Sequence, residues 1–198
     1  MNLRLIAGKG RHLPLLFTLQ ILILGASAQG RYTGASGDLV VNGTSTLHDW
    51  TMKSVKADCS ATFTVNASGQ VDGLSALNFS TPAKALKSEH TSMDNNAYKA
   101  LKTDKNPVIT YTMTSVRVTP GNSGSTVALK GKLTIAGATK DEDLVATCKI
   151  NPDNTITVTG TKAISMQEFQ IEAPTFMLGT IKTGNSIVLS FHLTLKKV

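Results

Sequence analysis

Short stretches in which every second residue is apolar recur along this chain of 198 residues, and they constrain its fold more than any other feature. Between Val55 and Val65, for example, Ala57, Cys59, Ala61 and Phe63 alternate with polar residues. Because successive side chains of a strand point to opposite faces, this pattern predicts a β-strand with one apolar and one solvated face. The same alternation predicts further strands at 108–118, 127–135, 144–150, 156–158 and 187–195.

Turn-forming residues separate these strands, at 69, 122–124, 137, 152–154 and 183–185. Short connections imply antiparallel pairing, and about eight such strands in one domain close into a barrel or flatten into a sandwich. The interior of a barrel of about eight strands is just wide enough to be filled by side chains or to hold one small ligand. Because the apolar rows mix small and large residues, they are consistent both with a packed core and with an open lumen.

One segment departs from the strand pattern. Met93, Ala97 and Leu101 recur at helical spacing, which predicts a short helix with Ser92 as its N-cap. Pro107 then requires extended backbone leading into the next strand. Such a helix either closes one end of the barrel or forms a surface connection.

The amino-terminal segment has the arrangement of a secretory signal. The basic residues Arg4, Lys9 and Arg11 precede an apolar run at 13–24, and small residues lead up to Ala28. The run is shorter than the roughly 20 residues that a membrane-spanning helix needs. The sequence therefore predicts a cleaved signal peptide at 1–28 and one exported domain at 29–198.

Charge and cysteine content narrow the function classes. The formal net charge is +7, but the lysines are scattered singly and form no stripe with interleaved aromatic residues, which argues against nucleic-acid binding. They indicate solvated strand faces, with transient attraction to an anionic membrane surface as a second interpretation. Cys59 and Cys148 both lie on apolar rows, so a disulfide and a pair of buried thiols are both consistent with export.

The sequence lacks the common signatures of catalysis. It contains no Gly-x-Ser-x-Gly, no Cys-x-x-Cys and no glycine-rich phosphate loop. His48 and Asp49 are adjacent, but in a strand they point to opposite faces and form a dyad only at a turn or bulge. His48, His90 and His192 lack the spacing of metal ligands. We therefore predict no enzymatic activity, no metal and no cofactor.

His48 and Trp50 share one face of a strand. An aromatic ring beside a titratable hydrogen-bonding group suits the mouth of an apolar pocket, where the ring packs on a chain and the histidine binds a polar end. The alternative is a tryptophan that plugs one barrel end and a histidine that holds a turn.

Four stretches in order resemble the YceI-like family of exported lipid-binding proteins. They are the Gly-Thr-Ser-x-Leu-His-Asp-Trp variant at 43–50, the helix with its Asn-Pro-Val-Ile continuation at 93–109, Gly-Lys-Leu-Thr-Ile-Ala-Gly-Ala-Thr-Lys at 131–140, and 164–184. The resemblance implies an antiparallel, eight-stranded, lipocalin-like β-barrel with one short helix. It also implies a bacterial periplasmic location and a lumen that holds a polyisoprenoid, isoprenoid quinone or fatty-acyl chain without catalysis.

Strand parity and motif position together predict the pocket wall, with His48 or Tyr98 beside the polar head group. The predicted ligand-binding residues are His48, Trp50, Phe63, Phe79, Tyr98, Tyr111, Met113, Phe169, Phe176, Leu189 and Phe191. The predicted function is carriage or sequestration of an apolar lipid. The alternatives are a structural or stress-related barrel with a filled core and an enzyme acting on an isoprenoid or acyl substrate. The oligomeric state is left open, with a homodimer among the options.

Overall fold

The computed structural model describes residues 28–176 and 178–198. The predicted signal peptide falls almost entirely outside the described residues. The strands and the helix follow one another as β1 (Ala28–Ser45), β2 (Trp50–Ser54), β3 (Asp58–Val65), β4 (Val71–Pro82), α1 (Thr91–Ala100), β5 (Val108–Thr119), β6 (Ser125–Ile135), β7 (Ala138–Ile150), β8 (Ile156–Ser165), β9 (Thr175–Phe176) and β10 (Ile181–Lys197).

The strands form a closed antiparallel barrel, as the sequence predicts. Each strand pairs with its neighbours in the order β2, β1, β3, β4, β5, β6, β7, β8, β10, β9, and β1 pairs with β10 to close the ring. The first part of β1 pairs with β3 and a later part with β2, so β2 and β3 together occupy one position beside it. The two-residue β9 only extends the edge at β10. The barrel therefore has eight strand positions, and closure leaves few unpaired edges.

One end of the barrel is filled with side chains. It is the end at which the β3–β4, β5–β6 and β7–β8 hairpins turn, and we call it the closed end. Phe63 is 0% exposed and meets Tyr32 edge to face, with ring centroids 5.6 Å apart. The Ser125 hydroxyl donates to the carbonyl of Val71 across the interior. The other almost fully buried apolar side chains here are Val71, Val127, Ile156 and Leu195.

The opposite end, which we call the open end, is wider because β7 and β8 separate there. These strands pair only where Ala146–Ile150 faces 156–160. Beyond that point Lys162 bridges the gap, with its ammonium 2.7 Å from the Glu142 carboxylate and 2.9 Å from the Asp143 carbonyl oxygen. A 3₁₀ turn (Met166–Phe169) follows β8 and packs against both strands and β10. The barrel thus tapers from an open to a closed end.

The predicted helix is present as α1, but its start differs from the expectation. The N-cap is His90 and not Ser92, and its side chain makes no capping hydrogen bond. Asp94, in the first turn, instead accepts hydrogen bonds from the backbone N–H and the hydroxyl of Ser88. The described part of the chain contains no helix that is long and apolar enough to cross a membrane.

Two local expectations are wrong. Val55 does not belong to a strand and is 72% exposed, because the chain breaks between β2 and β3 and turns this side chain outward. Residues 183–185 do not form a turn but lie inside β10. There the register with β1 shifts between Gly43 and Ser45, so the polar residues mark an irregularity in a long strand.

Cys59 and Cys148 are both free and buried in the structure, on β3 and β7. Burial, with a smaller effect of Asp58, raises the pKa of Cys59 to about 12. Burial, with a smaller effect of Cys59, raises the pKa of Cys148 to about 12. At pH 8 only about one thiol in ten thousand is then a thiolate, which is the reactive form. A disulfide bond between Cys59 and Cys148 stays a prediction.

We expect both thiols to be unreactive toward a disulfide reagent at pH 8 in the folded protein and to react on unfolding. The measurement is a thiol titration of native and denatured protein, each with and without prior reduction. Reaction in the native state would contradict the burial. Denatured, unreduced protein that yields thiols only after reduction would instead identify a bridged form.

Candidate functional site

A cavity of about 360 Å³ lies inside the open end of the barrel. Its volume is near the lower limit of about 300 Å³ found for small-molecule sites. The strands form its walls with apolar side chains that follow the inward parity of each strand. These side chains are Leu39 and Val41 of β1, Met52 of β2, Ile109 of β5, Ile135 of β6, and Ile187 and Leu189 of β10.

Helix α1 lies over the open end and forms a further wall. Its apolar face contributes Met93, Ala97 and Ala100, followed by Leu101 just after the helix. The small alanines keep the helix from filling the space beneath it. Of the two interpretations that the sequence allows for this helix, the structure shows the one in which it covers an end of the barrel, here the open end.

A network of polar contacts holds the start of α1 in place. Asp94 is only 5% exposed and lies 3.3 Å from the ammonium of Lys87. Burial by itself would raise the pKa of Asp94, but hydrogen bonds from Ser88 and the contact with Lys87 outweigh it, so this pKa lies below its usual value. The Tyr98 hydroxyl shares its single proton between the carbonyls of Lys84 and Leu86, whose oxygens lie 3.0 and 2.9 Å away, and so ties the helix to the segment before it.

We expect Asp94→Asn to lower the melting temperature at pH 7 and to have less effect in acid. A depressed native pKa stabilises the fold fully above the ordinary carboxyl pKa of about 4, and this contribution is lost as the pH falls toward the native pKa. Thermal unfolding of both proteins between pH 7 and pH 2 measures the difference. A gap in melting temperature that stays constant over this range would show that the Asp94 charge does not stabilise the helix.

The rim of the cavity is formed partly by the turn at 45–49, which joins β1 to β2. Ser45 builds this turn: its hydroxyl donates to the His48 carbonyl and accepts from the backbone N–H groups of Leu47 and His48. The turn places Leu47 and His48 at the cavity, where Leu47 is 65% exposed. The remaining polar side chains that line the cavity are Ser45, His90, Ser92, Asn96 and Thr183.

Trp50 reaches the cavity because its cross-strand partner is a glycine. Trp50 pairs with Gly43, and a Cβ atom at Gly43 would collide with the indole ring. The ring therefore lies flat against the β1 backbone and donates from Nε1 to the Thr44 carbonyl, at 3.0 Å. This arrangement explains why Gly43 and Trp50 occur together in the motif at 43–50.

The side chains of His48 and Asp49 do not form a dyad. The 45–49 turn supplies the irregularity that a dyad would need, yet His48 Nδ1 lies 2.7 Å from the backbone carbonyl of Asp49 and not beside its carboxylate. Among the described residues, no group of three His, Cys, Asp or Glu side chains is arranged to hold a metal ion.

Of the predicted ligand-binding residues, the structure brings His48, Trp50, Phe176 and Leu189 together around the cavity. It places the others elsewhere. Phe63 belongs to the closed end, and Phe169 is fully buried in the 3₁₀ turn after β8. The hydroxyl of Tyr98 is engaged with backbone carbonyls, and its side chain does not line the cavity.

The remaining predicted residues do not line the cavity: Tyr111 belongs to the buried core, and Phe79, Met113 and Phe191 are partly buried against it. Glycines explain two of these positions, because a Cβ atom at Gly131 would collide with Tyr111 and one at Gly160 with Phe191. The rings fill the space that these glycines leave. Strand parity turns such residues inward, but it does not say whether they face another side chain or open space.

The prediction missed most of the aliphatic lining. Leu39 and Val41 alternate along β1, but the glycines of this strand obscure the pattern. Ile171, Pro174 and Ile181 lie in or beside the irregular segment after β8 and line the cavity without any periodic signal. The sequence does predict Met93, Ala97 and Leu101 as one face of a helix, but it does not predict that this face lines the cavity.

The fold and the site together define a closed antiparallel barrel with one packed end and one apolar cavity under a helix. A model of the YceI-like domain matches residues 40–195, so the chain belongs to the YceI-like family. This confirms the resemblance found in the four sequence stretches. No curated protein matches the sequence.

Several solved structures have the same fold. BcnA of Burkholderia cenocepacia superposes with a TM-score of 0.65 at 14% identity, over 80% of this chain and 95% of BcnA. A polyisoprenoid binding domain from Saccharophagus degradans gives a TM-score of 0.61 at 12% identity, over 86% of this chain and all of that domain. The YceI protein of Campylobacter jejuni gives 0.54 at 21% identity, over 72% of this chain and 84% of that protein.

Proposed function

We propose that this protein binds one apolar long-chain lipid, an isoprenoid or a fatty-acyl compound, in the open end of its barrel and carries or sequesters it without chemical change. The observation that carries the proposal is the cavity itself, which has aliphatic walls and keeps most of its polar side chains on one rim turn and the start of one helix. A site of this composition recognises a chain by burial and a head group by a few polar contacts. The polyisoprenoid binding domain with the same fold supports the isoprenoid class.

The energetics favour such a ligand. Each methylene withdrawn from water contributes about 0.8 kcal/mol, so ten methylenes contribute roughly 8 kcal/mol before the costs of ordering. Micromolar affinity corresponds to about 8 kcal/mol, and a longer chain supplies the surplus that the ordering costs require. The packed closed end limits how far the chain enters, because Phe63, Val127 and Leu195 occupy that part of the lumen.

Organic extraction of the purified protein, followed by mass spectrometry, tests the proposal. We expect about one equivalent of an apolar lipid, whereas a structural barrel with a filled core yields none. The enzymatic alternative has a separate readout: an offered lipid recovered unchanged after long incubation supports binding, and a converted one supports catalysis.

We also propose that the protein acts in the periplasm, on the basis of the signal-like segment that ends at Ala28. Expression of the full chain in a Gram-negative host, followed by fractionation and amino-terminal sequencing, is the test. The expected result is periplasmic protein that begins at Gln29. Uncleaved protein in the cytoplasm would refute the export proposal.

Loading from a membrane would require the cavity rim to reach a bilayer; one exposed leucine lies on this rim and a second lies in the nearby connection between β9 and β10. Leu47 is 65% exposed, and Leu178, between β9 and β10, is fully exposed. Hydrogen bonds from the Thr46 N–H to the Lys182 carbonyl and from the Lys182 N–H to the Thr46 hydroxyl hold the 45–49 turn against the start of β10. The exposed Lys182 adds a positive charge at this place.

We therefore expect weak, salt-dependent sedimentation with vesicles that contain phosphatidylglycerol, and less binding by the double variant Leu47→Ser and Leu178→Ser. Val145→Ser is the matched control, because Val145 is 59% exposed on β7 and does not line the cavity. Equal sedimentation of all three proteins would exclude the rim as the contact surface.

A further inference from the structure

The hydrogen bond of the His48 ring fixes which of its nitrogens carries the proton. Nδ1 lies 2.7 Å from the backbone carbonyl oxygen of Asp49. A carbonyl oxygen only accepts hydrogen bonds, so Nδ1 must be the donor. In the neutral imidazole the other nitrogen, Nε2, is then unprotonated and acts as an acceptor. His48 therefore presents an acceptor at the rim of the cavity.

This acceptor is unused in the structure, since no described residue forms a hydrogen bond with Nε2 of His48. The neighbouring Ser45 does not compete for a ligand, because its hydroxyl proton is already donated to the His48 carbonyl. From helix α1, Ser92 and Asn96 also line the cavity, and their side chains form no hydrogen bond with the described residues. Both are able to donate.

We infer that the head group recognised here is a hydroxyl, which donates to His48 Nε2 and accepts from Ser92 or Asn96. A hydroxyl both donates and accepts, whereas quinone, ether and ester oxygens only accept. The ligand class is thus a long-chain alcohol, in preference to a quinone, ether or ester of the same chain. This inference rests on the proposed lipid-binding function and specifies its ligand.

The test compares geranylgeraniol with its methyl ether, which has the same chain but carries a methyl group in place of the hydroxyl proton and therefore cannot donate a hydrogen bond. Trp50 is the single tryptophan of the chain and lines the cavity, so its fluorescence reports binding of either compound. A hydrogen bond contributes about 0.5–1.5 kcal/mol net, so we expect the alcohol to bind roughly 2- to 12-fold more tightly. In His48→Ala the two affinities should become equal through weaker binding of the alcohol alone.

His192→Ala is the matched control, because His192 is exposed on β10 and does not line the cavity. It should keep the preference for the alcohol. Equal affinity of the two compounds for the unaltered protein, or an unchanged preference in His48→Ala, would overturn the inference and leave lipid binding intact. If neither compound binds, the inference and the proposed function both fail.

Discussion

Ala97→Trp is expected to weaken binding of a long-chain lipid by about 100-fold or more while the barrel stays folded. Ala97 lines the cavity from α1, and an indole at this position would occupy the space between the helix and the strands beneath it. Exclusion of only four methylenes from the cavity would cost about 3 kcal/mol, which is more than a 100-fold change in affinity. Calorimetric titration with geranylgeraniol and the lipid recovered by extraction are the measurements.

The matched control is Asn95→Trp, on the same helix. Asn95 is exposed and does not line the cavity, so the same side chain at this position should leave affinity unchanged. Both variants should melt near the temperature of the unaltered protein. If Ala97→Trp retains full affinity, the lipid does not occupy the cavity under α1.

Phe63→Ala is expected to lower the free energy of unfolding by about 3–5 kcal/mol. Phe63 is 0% exposed, and its replacement would leave a void beside Tyr32 in the packed closed end. Because this end lies away from the cavity, the protein that remains folded should bind lipid with nearly normal affinity. Urea denaturation and lipid titration at low temperature measure the two quantities separately.

Leu47→Ala serves as the control for stability, since Leu47 is 65% exposed and its truncation should change stability by less than about 0.5 kcal/mol. The sequence alone predicts Phe63 to be a ligand contact. A variant Phe63→Ala with unchanged stability and lost binding would confirm that prediction and show that the lipid reaches the closed end.

Together Ala97→Trp and Phe63→Ala test the division of the barrel into an open end that holds the cavity and a packed closed end. The sequence leaves an open lumen and a packed core as alternatives, and the structure contains both, one at each end. Each of the eight strand positions contributes inward side chains along its length. The same strand therefore supplies core residues at one end and cavity walls at the other, as β10 does with Leu195 and Leu189.

The sequence by itself determined the fold class, the antiparallel arrangement, the helix and the family. Strand alternation and turn residues are local properties. The alternation is present in six strands, β3, β5, β6, β7, β8 and β10, because a half-buried strand requires this period of two. The strands β1 and β4 lack a clear alternation, since β1 is interrupted by glycines and β4 mixes polar and apolar residues on both faces. These two segments are strands because their backbones pair with the neighbouring strands of the barrel.

Only the tertiary structure decided which inward residues line the cavity. Parity places Phe63, Tyr111 and Leu189 alike on the inner face, yet Phe63 is packed into the closed end, Tyr111 covers Gly131, and Leu189 lines the cavity. Phe63 and Leu189 differ because the barrel tapers toward the closed end, and this taper depends on where β7 and β8 stop pairing. The point at which two strands stop pairing is a long-range property, and it cannot be read from the alternation within a single strand.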